Sequence, residues 1–379
     1  MKLPVYLDHM ATTPVDARVR AAMDAVYDQG PANPHSSTHA YGWKAAECID
    51  QARGDVAALI GARPDEILFT SGATEANNLA LSGAVRASGR RRVVVSAIEH
   101  PCVLETARAL ERDGCELTVL DVDASGLVDP DDVVNAIDGD TVLVSIMLAN
   151  HETGTIEPVA EIGALCRERG VLFHTDAVQA GSRIPIDVVA LNVDLLSLSA
   201  HKMYGPMGIG ALYLIAGAQL EPVLYGGAQQ GGFRAGTVPT PLAAGFGKAA
   251  QLVKDGLASD AGHLSKLSNR LYRGLQASIP DLLLIGHEND RLPGCLTVRV
   301  PGVDAEDWLL ATPSIAASSG AACASGDGRP SHVLRAMGLS AEQASGAIRL
   351  SVGRATTVEE IEIAAAALVE SYARFAANT

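Results

Sequence analysis

From Thr141 to Leu148 the chain is apolar almost without interruption, and this run restricts the fold more than any other stretch. A strand with one wet face alternates apolar and polar residues. A nearly continuous run suits a strand covered on both faces, as in a parallel sheet flanked by helices. Shorter runs of the same kind occur at Glu66–Thr70, Arg92–Ser96, Glu116–Leu120, Val171–Asp176 and Val193–Leu198. Between them lie helical patterns at Leu79–Val85, His100–Gly114, Pro130–Ile137 and Val159–Arg169. Strand and helix in alternation predict an α/β fold built on a doubly wound, mostly parallel sheet. Ligands of such sheets sit beyond the carboxyl ends of the strands. The polar residues at those ends are Ser71 to Thr74, His100, Asn150, Asp176 with Gln179, and His201 with Lys202. These ends are expected to meet in space.

The pattern changes after Tyr213. A Gly-rich stretch, Gly226 to Thr237, precedes two expected helices, Thr240–Leu257 and His263–Ser278. Strands near Cys295–Val300 and Ala347–Val352 and a last helix, Val358–Ala377, follow. With 379 residues the chain is long enough for two cores. The expected division is a large α/β domain over 16–256 and a smaller α+β domain from 1–15 and 257–379, the latter carrying the loop around Cys323.

The formal net charge is -15, and no Lys/Arg-rich run offers a path for a phosphate backbone. Direct nucleic-acid binding is therefore not expected. Met1 to Asp16 lack a signal-peptide core, and no window approaches the ~20 apolar residues that span a bilayer. A cytoplasmic protein without a membrane partner is the expectation. The six cysteines, Cys48, Cys102, Cys115, Cys166, Cys295 and Cys323, have no zinc-type spacing, so no metal is expected. Five fall in helical or strand contexts. Cys323 alone lies among small residues, Ser318 to Ala324.

Lysine is rare, with six in the chain. Lys202 falls on a turn between two apolar runs. A lysine desolvated there becomes a nucleophilic amine able to form a Schiff base. Ser71-Gly72-Ala73-Thr74, between a strand and a helix, exposes backbone N–H groups suited to a phosphate. Asp176 ends a buried strand and needs a cationic partner or several donors. Each feature alone has an ordinary reading, as a turn lysine, a helix cap or a capping carboxylate. A lysine, an acid for a ring nitrogen and a phosphate cradle are together what pyridoxal phosphate (PLP) requires.

Six ordered motifs carry a resemblance. They are Ser71-Gly-Ala-Thr-Glu-Ala-Asn-Asn78, Glu99-His-Pro101, Asn150-His-Glu-Thr-Gly154, Asp176-Ala-Val-Gln179, Ser199-Ala-His-Lys202 and Ser318-Ser-Gly-Ala-Ala-Cys323. In them the chain resembles the cysteine desulfurases, fold-type I PLP enzymes of the class V aminotransferase superfamily. The resemblance runs from Tyr6 to Thr357. It implies that Lys202 is the Schiff-base lysine, and that Ala73, Thr74, Ser199 and His201 hold the phosphate. Asp176 would face the pyridine nitrogen. Gln179 and Asn150 would bond the ring hydroxyl or the substrate, and His100 would stack on the ring and relay protons. Arg349 matches the arginine for the substrate carboxylate, with Arg354 as the second candidate. Departures are His151 in place of a second asparagine and alanines flanking Cys323.

The activity so implied converts L-cysteine to L-alanine, leaving the sulfur on Cys323 as a persulfide that passes to an acceptor protein. The acceptor would serve iron–sulfur assembly, transfer-RNA thiolation or DNA sulfur modification. A class V aminotransferase or selenocysteine lyase on the same fold is one alternative, and a non-catalytic sulfur-relay scaffold another. The resemblance also implies a homodimer in which Thr237 reaches the neighbouring subunit's cofactor phosphate.

Overall fold

The computed structural model describes residues 3–319 and 330–376. Cys323 and most of its loop lie outside them. A seven-stranded sheet, a four-stranded sheet and a two-stranded pair organise the described chain. A short strand β1 (Val5–Tyr6) opens it. The large sheet then takes β2 (Ile67–Thr70), β3 (Arg92–Ser96), β4 (Glu116–Leu120), β5 (Thr141–Ser145), β6 (Leu172–Asp176), β7 (Leu195–Ser199) and β8 (Gly210–Leu214). Their order is β2-β8-β7-β6-β5-β3-β4. Strands β3 to β7 pair in parallel, as their two-sided burial requires, and β8 runs antiparallel to both β7 and β2.

Helices cover both faces. Val144, Phe173, Leu196 and Ala211 point into one apolar cluster, and Val95, Leu143, Leu195 and Leu212 into another. This is the period of two along each strand, read out on opposite faces. Helix Ala40–Ile60 packs on the first face and ends at Gly61, whose φ of 71° closes it with a left-handed cap.

The smaller sheet contains β9 (Leu283–Leu284), β10 (Cys295–Arg299), β12 (Ser318–Ser319) and β13 (Ala347–Ser351), in the order β12-β13-β10-β9, with β11 (Ile315–Ala316) beside it pairing with β1. The two helices expected between Thr240 and Ser278 are one, Thr240–Gln276. Gly256 and Gly262 are not terminators here, because the helix is held at both ends by tertiary packing. Phe246, Ala250 and Val253 join the large-sheet core, and Leu264, Leu267, Leu271 and Leu275 the small-sheet core. The position expected as a boundary, 256 to 257, therefore falls inside a continuous helix.

Glycine matters most at Gly210, the first residue of β8. A Cβ there would stand 2.6 Å from Leu198 O and 2.8 Å from Gly72 Cα. Its absence lets β2, β7 and β8 close together at the sheet end where Gly72 and Ser199 emerge.

Candidate active site

A cavity of about 430 Å³ opens at the carboxyl ends of the parallel strands. The dispersed polar ends expected to meet there largely do. Ala73 and Thr74 come from the turn after β2, and His100 from the turn after β3. Asp176 and Gln179 follow β6, and Ser199, His201 and Lys202 follow β7.

On one side the helix Ala73–Ala87 begins, with Gly72 as its N-cap. Its first intrahelical bond runs from Ala76 N–H to Gly72 O, so the N–H groups of Ala73, Thr74 and Glu75 stand ahead of the helical ladder. Such an end carries partial positive charge and suits an anion. Glu75 lies in this first turn and would oppose one. Its carboxylate takes two bonds from Arg234, at 2.7 and 3.1 Å, and one from Ser71 N–H at 2.7 Å. Burial pushes its pKa up, but these bonds outweigh burial and hold it below the usual value. The pair also ties the Gly-rich stretch to the helix start.

Lys202 closes the opposite side from the short 3-10 turn Ala200–Lys202. Its Nζ donates to Met10 O at 2.5 Å and Ala11 O at 2.8 Å. Gln179 Nε2 donates to the same Met10 O at 3.1 Å. The N-terminal lead-in thus straps across the site, and Thr13 Oγ1 fixes it by donating to His201 O at 2.8 Å. His201 Nδ1 lies 3.1 Å from Thr12 Oγ1, and burial lowers its pKa to about 4, leaving the ring neutral.

Asp176 forms the floor. Its carboxylate accepts from Asn77 Nδ2 at 2.7 Å and Val178 N–H at 3.0 Å, and it is 6% exposed. Among the described residues it has no ion pair. A buried carboxylate so placed, facing a cavity, fits a cationic ring N–H. Nearby, His100 Nδ1 accepts from Cys102 N–H at 3.2 Å and lies 3.0 Å from Cys102 Sγ. Burial first, then the Asp176 charge, push the Cys102 thiol up to about 12. Cys102 is therefore held as an unreactive thiol at neutral pH, despite lining the cavity.

Asn150 is not among the lining residues. Its Oδ1 accepts from the N–H groups of Glu152 and Thr153, and its Nδ2 donates to Ile98 O, so its amide builds the loop after β5. The stretch after β5 presents Met147, Ala149 and, as its titratable group, His151 to the cavity. Arg349, on β13, lies behind it and donates to His151 O at 2.6 Å, Asp8 at 2.9 Å and Ser318 Oγ at 3.1 Å. Arg354 is committed elsewhere. It pairs with Asp260 at 2.7 Å and lies over the Tyr204 ring, 4.3 Å from its centroid. Thr237 is exposed and lines a separate cleft with Tyr27 and Lys44. Sequence reasoning missed Asn77, the Glu75–Arg234 pair and the backbone of Met10 and Ala11. Only the acid–base complement of the Glu75–Arg234 pair left a signal.

An amine, a buried carboxylate and a helix N-terminus around one cavity fit PLP, and with this sheet they define a fold-type I PLP enzyme. The comparisons agree. The class-V aminotransferase family matches residues 5–363. The mitochondrial cysteine desulfurase of Drosophila melanogaster is 47% identical over 366 residues, 96% of this chain and 79% of that protein. A solved NifS-like protein superposes with a TM-score of 0.91 at 35% identity, covering 98% of this chain and 100% of that one. A structure described as SspA in complex with cysteine gives 0.82 at 36% identity, over 93% and 99% of the two chains. The chain belongs to the class-V aminotransferase family, and within it to the cysteine desulfurases. PLP is its cofactor. No described helix is long and apolar enough to cross a membrane, and the described residues contain no metal-ligand cluster.

Proposed function

We propose that this chain converts L-cysteine to L-alanine and carries the sulfur on Cys323 as a persulfide before passing it to an acceptor protein. The observation that carries the reading is the meeting of Lys202, Asp176 and the Ala73–Thr74 helix start around one cavity. Ala73, Thr74, Ser199 and His201 hold the phosphate, Asp176 holds the ring nitrogen protonated, and Gln179 and the Asn150 loop bound the ring's hydroxyl side. Bound there, PLP supplies an electron sink that acidifies the substrate Cα–H and loosens the carbon–sulfur bond.

Lys202 Nζ, released from the Met10 and Ala11 carbonyls, takes the Cα proton. Arg349 anchors the substrate carboxylate, and its bond to His151 O fixes its plane. Arg354 has no such reach, since Asp260 and Tyr204 hold it. His100, kept neutral by burial, returns a proton to the substrate carbon. The Cys323 thiolate attacks the substrate sulfur. The sulfur–sulfur bond forms as the Cβ–sulfur bond breaks, the bonding pair passes to Cβ, which takes the proton from His100, and Lys202 returns a proton to Cα.

The active form is a homodimer in which Thr237 serves the partner's cofactor phosphate, and the setting is a reducing compartment, the cytoplasm. The five described cysteines are free thiols, which suits that setting. Reaction of holoenzyme with L-cysteine, followed by peptide mass analysis, tests the reading. One added sulfur on the Cys323 peptide is expected. Sulfur on Cys102 or Cys48 instead, or alanine at the wild-type rate from Cys323→Ser, would refute it.

A further inference from the structure

Three imidazoles stand in file, and the mechanism above uses only the innermost. His100 and His151 line the cavity, with ring centroids 5.2 Å apart. His332, the first residue of helix His332–Ala336, follows at 6.3 Å from His151 and is half-buried. His151 is 5% exposed, and neither of its ring nitrogens has a hydrogen-bond partner. Buried polar atoms are ordinarily satisfied, so two unsatisfied nitrogens on one ring call for a function.

The flanking bonds set a direction. Glu99 O can only accept, so His332 Nε2, 2.8 Å away, carries the hydrogen, and Nδ1 of the neutral ring is the acceptor. Cys102 N–H can only donate, so His100 Nδ1 is the acceptor and its Nε2 carries the hydrogen. His151, with one bare nitrogen and one N–H, matches both neighbours. Burial lowers the pKa of all three, so the rings are neutral near pH 7 and each can both give and take a proton. Asp176 and Lys202 face His100. Arg349 and Lys202 face His151, whose Nε2 lies 3.6 Å from Glu152 Oε1. Arg108 and the Glu99 carbonyl face His332. The two cations nearest His151 keep a proton from resting there, whereas the Glu99 carbonyl favours the charged form of His332.

We propose that His100, His151 and His332 form a proton relay between the cavity and solvent, an inference that rests on reading the cavity as the PLP site. His100 passes its Nε2 hydrogen to His151, and His151 passes the hydrogen of its other nitrogen to His332 Nδ1. His332 releases it to water, and His100 is refilled by the Cα proton that Lys202 passes on; run in reverse, the same steps bring in the proton that His100 gives to the substrate carbon. Every N–H bond broken is matched by one formed, and nothing is oxidised or reduced. A linear N–H···N bond puts two imidazole centroids roughly 5 Å apart. The inner pair has that spacing but meets edge to face at 65° with no N–H···N bond, so a ring turn aligns it, and a ring turn or one bridging water closes the outer gap.

The test uses holoenzyme and L-alanine in D2O, following exchange of the Cα proton by NMR, with cofactor absorbance confirming loading. His332→Gln keeps an N–H for Glu99 O but removes the acceptor nitrogen. It is expected to slow exchange on the order of tenfold or more, with L-alanine affinity unchanged and the rate restored by added imidazole. His151→Asn should slow exchange as well, and the double variant no further than the slower single one. Full-rate exchange in His332→Gln, or a loss that imidazole does not restore, overturns the relay alone. A wild-type holoenzyme that never exchanges the proton overturns the site reading and the relay with it.

Discussion

Arg349 Nη1 donates to the carbonyl oxygen of His151 at 2.6 Å, joining β13 of the small sheet to the loop that lines the large-sheet cavity. The guanidinium is 5% exposed and also meets Asp8. Arg349→Lys keeps the charge but loses the planar fork. The expected result is a KM for L-cysteine raised on the order of tenfold or more, with the cofactor still bound. Arg354→Lys, by contrast, should lower the melting temperature and leave KM near wild type. Steady-state kinetics beside thermal melts separate the two. Equal effects on KM would contradict the assignment.

Asp176→Asn keeps one acceptor oxygen, which can serve Val178 N–H, loses the second one that Asn77 uses, and removes the charge facing the cavity. Activity should fall by about 100-fold or more, because charge stabilisation is lost where it is needed. The variant should stay folded and bind PLP with an altered absorption maximum. A wild-type rate would show that the carboxylate does not serve the ring.

Arg234→Ala leaves the Glu75 carboxylate beside the anion-binding helix start without its partner. PLP affinity should fall by roughly tenfold, and adding Glu75→Gln should recover part of it, since an unpaired charge harms more than a missing pair. Cofactor titration by absorbance across the four variants gives the coupling. Strict additivity would mean that the pair plays no part in holding the phosphate.

Glu157 predicts a pH effect. Burial raises its pKa from 4.5 to about 8. Below the lower value both folded and unfolded chains hold the proton. Between the two values only the unfolded chain ionises, so stability is lost as pH rises and the loss levels off above about 8. Glu157→Gln should therefore melt at about the wild-type temperature near pH 4.5 and a few degrees higher at pH 8. A melting difference independent of pH would show that Glu157 ionises normally in the fold.

Much of this was legible in the chain because the buried parallel strands leave apolar runs, and because Thr74, Asp176 and Lys202 all sit at strand ends. The rest is carried by contacts between residues far apart in the chain or through the backbone. Glu75 and Arg234 are 159 residues apart. Met10 and Ala11 act through backbone oxygens, which no side-chain pattern reports. His151 was visible as a departure from the expected asparagine. That it and not Asn150 faces the cavity depends on the turn after β5, which directs the Asn150 amide into its own loop.

The reversed strand β8 also sets an order of assembly. Strand β2, which launches the anion-binding helix, pairs in the sheet only with β8, so Ile67 waits for Tyr213. During synthesis the chain emerges at about 5–20 residues per second, and β2 stays without a partner for several seconds while β3 to β7 pair with one another. The cradle for the phosphate is therefore among the last parts of the large sheet to form. A nascent chain can gather its hydrophobic core before it can capture a cofactor, and a ribosome stalled before Gly210 would hold a folded but cofactor-blind intermediate.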